Sequence, residues 1–202
     1  MGRKAEVTRQ RILDAALEEF SSKGFHGARV DSIASGAGIN KERIYAYFGN
    51  KEKLFSLILR QCFESLFAAE QGLLQLDGSD PARLPRAILD LYIRFHEEHP
   101  HFWRILAWEN LEGGRHVKSF AGVRDPVLDH LKRLYRRGQR SEVFNKKVSF
   151  EAFIFQLWAA VFFYYSNRRT ISSSLNIDMF DQKVRNMLMR EVLENIQKGS
   201  TS

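Results

Sequence analysis

VDSIASGAGINKERIYAYF, running from Val30 to Phe48, decides the fold. Val30, Ile33, Ala34 and Ala37 stand at helical spacing, which predicts a short amphipathic helix over 30–37. Gly36 and Gly38 then punctuate the chain, and Ile39 supplies an apolar anchor. Asn40 can cap a second short helix, over 41–47, by accepting from a free backbone N–H. Two helices joined by so tight a turn make a helix-turn-helix when a small residue sits at their closest approach and apolar anchors fix the second helix. Ala34, Gly38, Ile39 and Ile44 suit those positions. The second helix keeps Lys41, Glu42, Arg43, Tyr45, Ala46 and Tyr47, groups able to reach base edges and phosphates in a major groove. An ordinary helical hairpin with a solvated charged face shares this local pattern.

On either side, apolar residues recur every three or four positions, as in Ile12, Leu13, Ala16, Leu17 and Phe20, or Ile88, Leu91, Tyr92 and Phe95. No alternating strand pattern competes with them. Asp80-Pro81, His99-Pro100 and Asp125-Pro126 read as helix starts, and Thr8, Asn50, Ser149 and Asp178 as further caps. The spacing predicts an all-α chain with helices over 8–22, 30–37, 41–47, 51–76, 84–98, 100–112, 126–138, 149–167 and 178–197. Thr170 to Ile177, which contains Ser172 to Ser174, reads as a loop. Three helices within the first fifty residues, two of them very short, before six further ones predict a three-helix head over 1–50 and a larger helical body over 51–202.

Composition narrows the function. A chain of 202 residues with 44% hydrophobic side chains is not disordered, and its net charge of +7 suits an anionic partner. A single cysteine, Cys62, excludes a disulfide framework and a thiolate-rich zinc site, and fits a packed side chain in a reduced, cytoplasmic setting. Charges interrupt Met1 to Phe20, where a secretory signal needs an apolar core. The longest uncharged run, Ala152 to Asn167, falls short of the roughly 17 to 25 residues of a spanning helix, so no membrane partner is expected. His96, His99 and His101 lack a third metal ligand at convincing spacing, and Gly36-Ala-Gly38 follows a helix where a dinucleotide loop would follow a strand. No catalytic residue, metal or cofactor is therefore expected.

Five pieces in order carry a family resemblance: Thr8-Arg-Gln-Arg-Ile-Leu-Asp-Ala-Ala16, Phe20 to Phe25 with Gly24, Val30-Asp-Ser-Ile-Ala34, Ala37-Gly-Ile-Asn40, and Ile44-Tyr-Ala-Tyr-Phe-Gly-Asn-Lys-Glu-Lys-Leu54. Together they resemble the DNA-binding head of the TetR/AcrR family of bacterial repressors, over 8–55 without a gap. The resemblance implies a homodimer whose two heads enter successive major grooves of palindromic, double-stranded operator DNA, with release by a small-molecule effector held in the body. It implies that Tyr45, Tyr47 and Lys51 touch the DNA backbone and that Lys41, Glu42 and Arg43 read bases. Chemistry agrees: Arg43 can donate twice to one guanine, Glu42 can accept from a cytosine amine, and Ala46 can touch a thymine methyl. Where the family commonly carries Ser or Thr, this chain has Ala28 and Arg29, so a hydroxyl cap is missing. Arg29 is expected to replace the phosphate contact by charge, and Asp31 to satisfy part of the helix dipole. Thr8 is expected to cap the first helix with its hydroxyl or N–H near a phosphate. Residues 1–53 carry ten basic and seven acidic side chains, so placement rather than bulk charge must carry affinity.

In the body, one apolar stripe runs through Phe153, Leu157, Ala160, Val161 and Tyr164, and another through Phe180, Val184, Met187, Leu188 and Leu193. The resemblance implies that the last two helices pair with their symmetry mates, which places Phe153, Leu157, Ala160, Val161, Tyr164, Val184, Met187 and Leu188 at the dimer contact. The body is also rich in aromatics, among them Phe102, Trp108, Phe120 and Tyr165, as a mostly apolar pocket would require. His99 to Leu111 resembles the family helix that borders the effector cavity, and the expected ligand set is Phe63, Phe67, Trp103, Leu106, Asn110, Trp158 and Phe162. The competing reading is an aromatic small-molecule binding or scavenging protein without specific DNA recognition.

Overall fold

A computed structural model describes residues 3–117 and 125–198, and every regular element among them is helical, as the spacing predicts. The α-helices are α1 (Arg3–Gly27), α2 (Val30–Ala37), α3 (Lys41–Phe48), α4 (Lys51–Glu70), α5 (Leu84–Glu98), α6 (Phe102–Leu111), α7 (Asp125–Arg140), α8 (Phe150–Leu175) and α9 (Gln182–Lys198). Short 3-10 turns lie at Gln71–Gln75 and Pro81–Arg83, the first of them where the sequence pattern would have continued α4 to 76. Phe120 lies outside the described residues. The chain packs as two compact units, Met1–Leu66 with His99–Ala121, and Phe67–Glu98 with Gly122–Ser202. These packing boundaries fall elsewhere than the expected functional boundary at 50/51.

In the first unit, Ile12, Leu13, Ala16 and Phe20 of α1 meet Ile33, Ala34 and Ala37 of α2, Ile44 and Phe48 of α3, Phe55 and Ile58 of α4, and Ile105 of α6. Phe20 and Phe55 pack edge-on with ring centres 5.1 Å apart, and burial of each such ring contributes about 1.5–3 kcal/mol. Cys62 packs against the same cluster, and burial pushes its thiol up to about 12. α6 rests on α1 where the latter is kinked. Gly24 there adopts φ +69°, and a Cβ on it would lie 2.7 Å from the Trp108 ring, while the Trp108 indole N–H donates to the Ser21 carbonyl at 3.3 Å. α1 also corrects the sequence reading at its start. Helix begins at Arg3, so Thr8 is no cap: its hydroxyl donates to the Lys4 carbonyl at 2.9 Å, one turn back.

In the second unit, α7 buries Val127, Leu131, Leu134 and Tyr135 along one stripe, and Tyr135 stacks on Phe153 of α8 with centres 4.4 Å apart. The Tyr92 hydroxyl of α5 donates to the buried Glu70 carboxylate. Contrary to the expected loop over 170–177, α8 continues to Leu175. Its hydroxyls bond backwards within the helix: Ser166 to the Phe162 carbonyl (2.7 Å), Thr170 to Asn167 (2.8 Å) and Ser174 to Thr170 (2.9 Å). Asn176 then ends the helix in a left-handed conformation. α9 starts later than expected, with Asp181 accepting from Lys183 N–H at 2.7 Å, while Asp178 closes the preceding turn through Phe180 N–H. Among the described residues no helix is long and apolar enough to cross a membrane.

Candidate nucleic-acid interface

The turn between α2 and α3 sets the angle of everything on α3. Gly38 takes φ +63°, its N–H donates to the Ser35 carbonyl at 3.0 Å, and Ile39 N–H donates to Ala34 at 3.0 Å. This paired closure needs a left-handed residue, which glycine supplies without strain. Asn40 then caps α3 by accepting from Arg43 N–H at 3.3 Å. With Ile44 and Phe48 buried, the helix can point only its other side outward: Lys41, Glu42, Arg43, Tyr45 and Ala46 are exposed, and Tyr47 is half-buried.

The cations on this face are not equivalent. Lys41 lies 3.2 Å from the Asp31 carboxylate, whose hydrogen bond and charge hold its pKa above the ordinary lysine value. It must therefore give up a partner to meet DNA, and Asp31 has a second role besides lying in the first turn of α2. Lys51 donates to the His26 carbonyl at 3.4 Å and sits 4.9 Å from the centre of the Phe25 ring, so its ammonium is held in place by α1. Among the described residues no hydrogen bond or ion pair engages the Arg43 guanidinium. Arg29 is exposed at the N-cap of α2 and makes no side-chain cap. At the same helix end, Glu19 of α1 accepts from Arg29 N–H at 3.0 Å. Burial opposes the Glu19 charge, but the hydrogen bonds from Arg29 N–H, Lys23 and Ser32 hold its carboxyl below the ordinary range.

The polar pair on α6 that the sequence sets beside Trp103 and Leu106, Glu109 and Asn110, divides between core and surface. Glu109 is 1% exposed and accepts from His116 N–H at 2.6 Å, while its other oxygen lies 2.9 Å from His116 Nδ1. His116 Nε2 stands 3.3 Å from Glu52 in the first turn of α4. No helical pattern announces such a contact, because His116 lies seven residues on, past the end of α6, and Glu52 lies 64 residues away. Asn110, the polar anchor expected for the ligand, is exposed, so the polar group that α6 buries is the neighbouring one.

The expected ligand set divides between the units. Phe63, Trp103 and Leu106 are half-buried in the first, where Phe63 packs edge-on to Phe102 at 5.7 Å and Trp103 lies under the Arg104 guanidinium at 5.3 Å. Phe67, Trp158 and Phe162 are half-buried in the second. Trp158 lines an open groove of about 480 Å³ on α7 and α8 with Leu128, Lys132, Phe150, Ile154 and Phe155. His101 is taken up by Ser21 (3.0 Å) and Glu18 (3.6 Å), and among the described residues no three His, Cys, Asp or Glu side chains gather as a metal site.

The expected dimer set needs correction. Phe153, Leu157, Val161 and Tyr164 are buried within the subunit, Phe153 against Tyr135, so the stripe they form is core and is not free for a partner. Ala160 is half-buried. Up to Tyr165 α8 is apolar on more than one side, and its open side is a different stripe, with Phe155 67% and Phe163 57% exposed and Ala159 between them. On α9, Met187 is exposed and Val184 and Leu188 are half-buried, which leaves that part of the expected set accessible.

Comparison with known proteins agrees with this architecture. Residues 12–58 match the family described as bacterial regulatory proteins, tetR family, and residues 81–196 match the tetracyclin repressor-like C-terminal domain. The chain is 34% identical over 185 residues to the HTH-type transcriptional repressor NicS of Pseudomonas putida, covering 90% of this chain and 87% of that protein. It is 27% identical to the HTH-type transcriptional regulator RutR of Escherichia coli, covering 97% and 90%. The crystal structure of PfmR, a TetR family transcriptional regulator from Thermus thermophilus, shares the fold with a TM-score of 0.69 at 22% identity, over 95% of this chain and 96% of that one. A head whose second helix turns its polar side outward, joined to a helical body that matches the family's C-terminal domain, makes this chain a member of the tetR family of bacterial regulatory proteins and a DNA-binding transcriptional regulator.

Proposed function

We propose that this regulator is a homodimeric, ligand-responsive repressor whose two heads, 1–50 of each subunit, enter successive major grooves of a palindromic operator. The body, 51–202, takes a small-molecule effector and releases the DNA. It acts in the cytoplasm without metal, cofactor or catalytic step. The observation that carries this reading is the exposure of Lys41, Glu42, Arg43, Tyr45 and Ala46 on a helix whose opposite side is locked into the core by Ile44 and Phe48. The dimer forms through the open side of α8, Phe155, Ala159, Phe162 and Phe163, with Met187, Val184 and Leu188 of α9.

Spacing is the control variable. Half-sites stand about 34–36 Å apart, one helical turn of DNA, so a body that changes the separation of the two α3 helices changes affinity without altering Arg43 or Tyr47. By linkage, operator DNA weakens effector binding by the same factor as effector weakens operator binding. Selecting bound genomic fragments tests the reading: a two-fold symmetric site should be enriched, whereas no enrichment leaves the scavenging alternative. On the selected site, Arg43→Ala should cost about 1–3 kcal/mol per half-site and relax preference at one base position. Equal loss on the selected site and on scrambled DNA, measured by gel shift, would deny Arg43 its reading role.

A further inference from the structure

The helical turn before Thr8 lies outside both the resembling stretch at 8–55 and the family match at 12–58. Because α1 extends to Arg3, Lys4 and Thr8 fall on one helical face, as do Arg3 and Val7. These residues, with Ala5, line an open groove of about 740 Å³ whose other wall is Arg43 and Tyr47 of α3. Its polar groups are three cations and two hydroxyls, and no lining residue is acidic. Glu6, the one carboxylate in this turn, stands 3.8 Å from Arg9 instead. Val7, 56% exposed, and Ala5 give the groove an apolar strip. Unlike Lys41 and Lys51, the Arg3 and Lys4 side chains have no hydrogen bond or ion pair among the described residues, so meeting a phosphate breaks nothing.

We propose that this groove is a second DNA contact, in which Arg3 and Lys4 of α1, facing Arg43 and Tyr47 of α3, hold one phosphodiester strand beside the reading helix. The proposal rests on the reading that α3 docks on DNA. An elongated anion fits the chemistry: the cations and the Tyr47 hydroxyl meet the phosphates, and Val7 and Ala5 meet the sugars between them. Arg3 and Lys4 then supply affinity common to all sequences, while Arg43 supplies preference. The groove couples the two, because one residue serves both its wall and the reading face.

The test uses the full chain and the duplex selected by the wild type, with a scrambled duplex of equal length, across a salt series. Replacing both cations, Arg3→Gln with Lys4→Gln, removes four charges per dimer and should reduce the slope of log affinity against log salt by about 3 to 4. Affinity at about 0.1 M salt should fall tenfold or more on both duplexes. The charge-keeping pair, Arg3→Lys with Lys4→Arg, should keep the slope within about 1 of the wild type. An unchanged slope for the Gln pair, or equal weakening by both pairs as fraying of α1 would give, overturns the proposal. Failure of the wild type to bind any duplex overturns the regulator reading and this one together, a result distinct from a binding wild type with an insensitive slope.

Discussion

Phe155→Glu together with Phe163→Glu should yield a folded monomer that binds the selected operator about 10²–10⁴-fold more weakly than the wild type. The two rings lie on the open side of α8, eight residues apart with Ala159 between them, and make no part of the subunit's buried core. Substitution should therefore leave the monomer's helix content and melting close to wild type. In a two-fold pair the same patch meets itself, so each change is felt twice and four carboxylates are brought together across one contact. Loss of the pair converts joint binding of two heads into independent binding of one, which removes the gain from effective concentration. Light scattering behind size exclusion gives the oligomeric state, and a gel shift gives the affinity. A variant that stays dimeric with unaltered DNA binding would move the contact to another face.

Gly24→Ala should lower stability by about 2–6 kcal/mol, and the melting temperature by about 5–20 °C. Two costs combine. At φ +69° and ψ −179° the backbone occupies a region open essentially to glycine alone, worth about 1–3 kcal/mol for any side chain. The new methyl would also lie 2.7 Å from two atoms of the Trp108 ring, and overpacking of a filled core costs another 1–3 kcal/mol. Trp108 cannot swing aside cheaply, since its indole N–H is bonded to Ser21 and its helix rests on α1. Against a total of about 5–15 kcal/mol for a domain, this is a large fraction. A thermal melt within about 2 °C of wild type would mean that the ring relaxes freely.

Much of the fold was legible because its signals are local. The Val30 to Ala37 stripe with Gly38 behind it, the caps at Asn40, Asn50 and Ser149, and the run from Leu84 to Glu98 each place a helix by residues within one turn of its ends. What the pattern could not give depends on distant partners. The first half of α8, apolar on more than one side, offers two stripes, and nothing in the sequence marks which one Tyr135 and Phe144 will cover. Ser and Thr after Asn167 read as a break because they compete for backbone groups, yet here the competition is satisfied inside the helix. Arg3 and Lys4 precede any capping residue, so the true start of α1 carried no mark. The exposed set on α3 was readable, but its constraints were not: the Asp31 partner of Lys41 lies on another helix, and the Glu109 partner His116 lies beyond the end of α6.

The sole thiol of the chain reports on the packing of α4. With Cys62 shifted to about 12, the nucleophilic thiolate is roughly one part in 10⁵ at pH 7, so iodoacetamide finds almost nothing to attack while α4 stays packed. Cys62 is half-buried, so alkylation of the native protein should be many-fold slower than that of the protein in denaturant. A native sample that labels as quickly as an unfolded one would mean that the sulfur already stands in water.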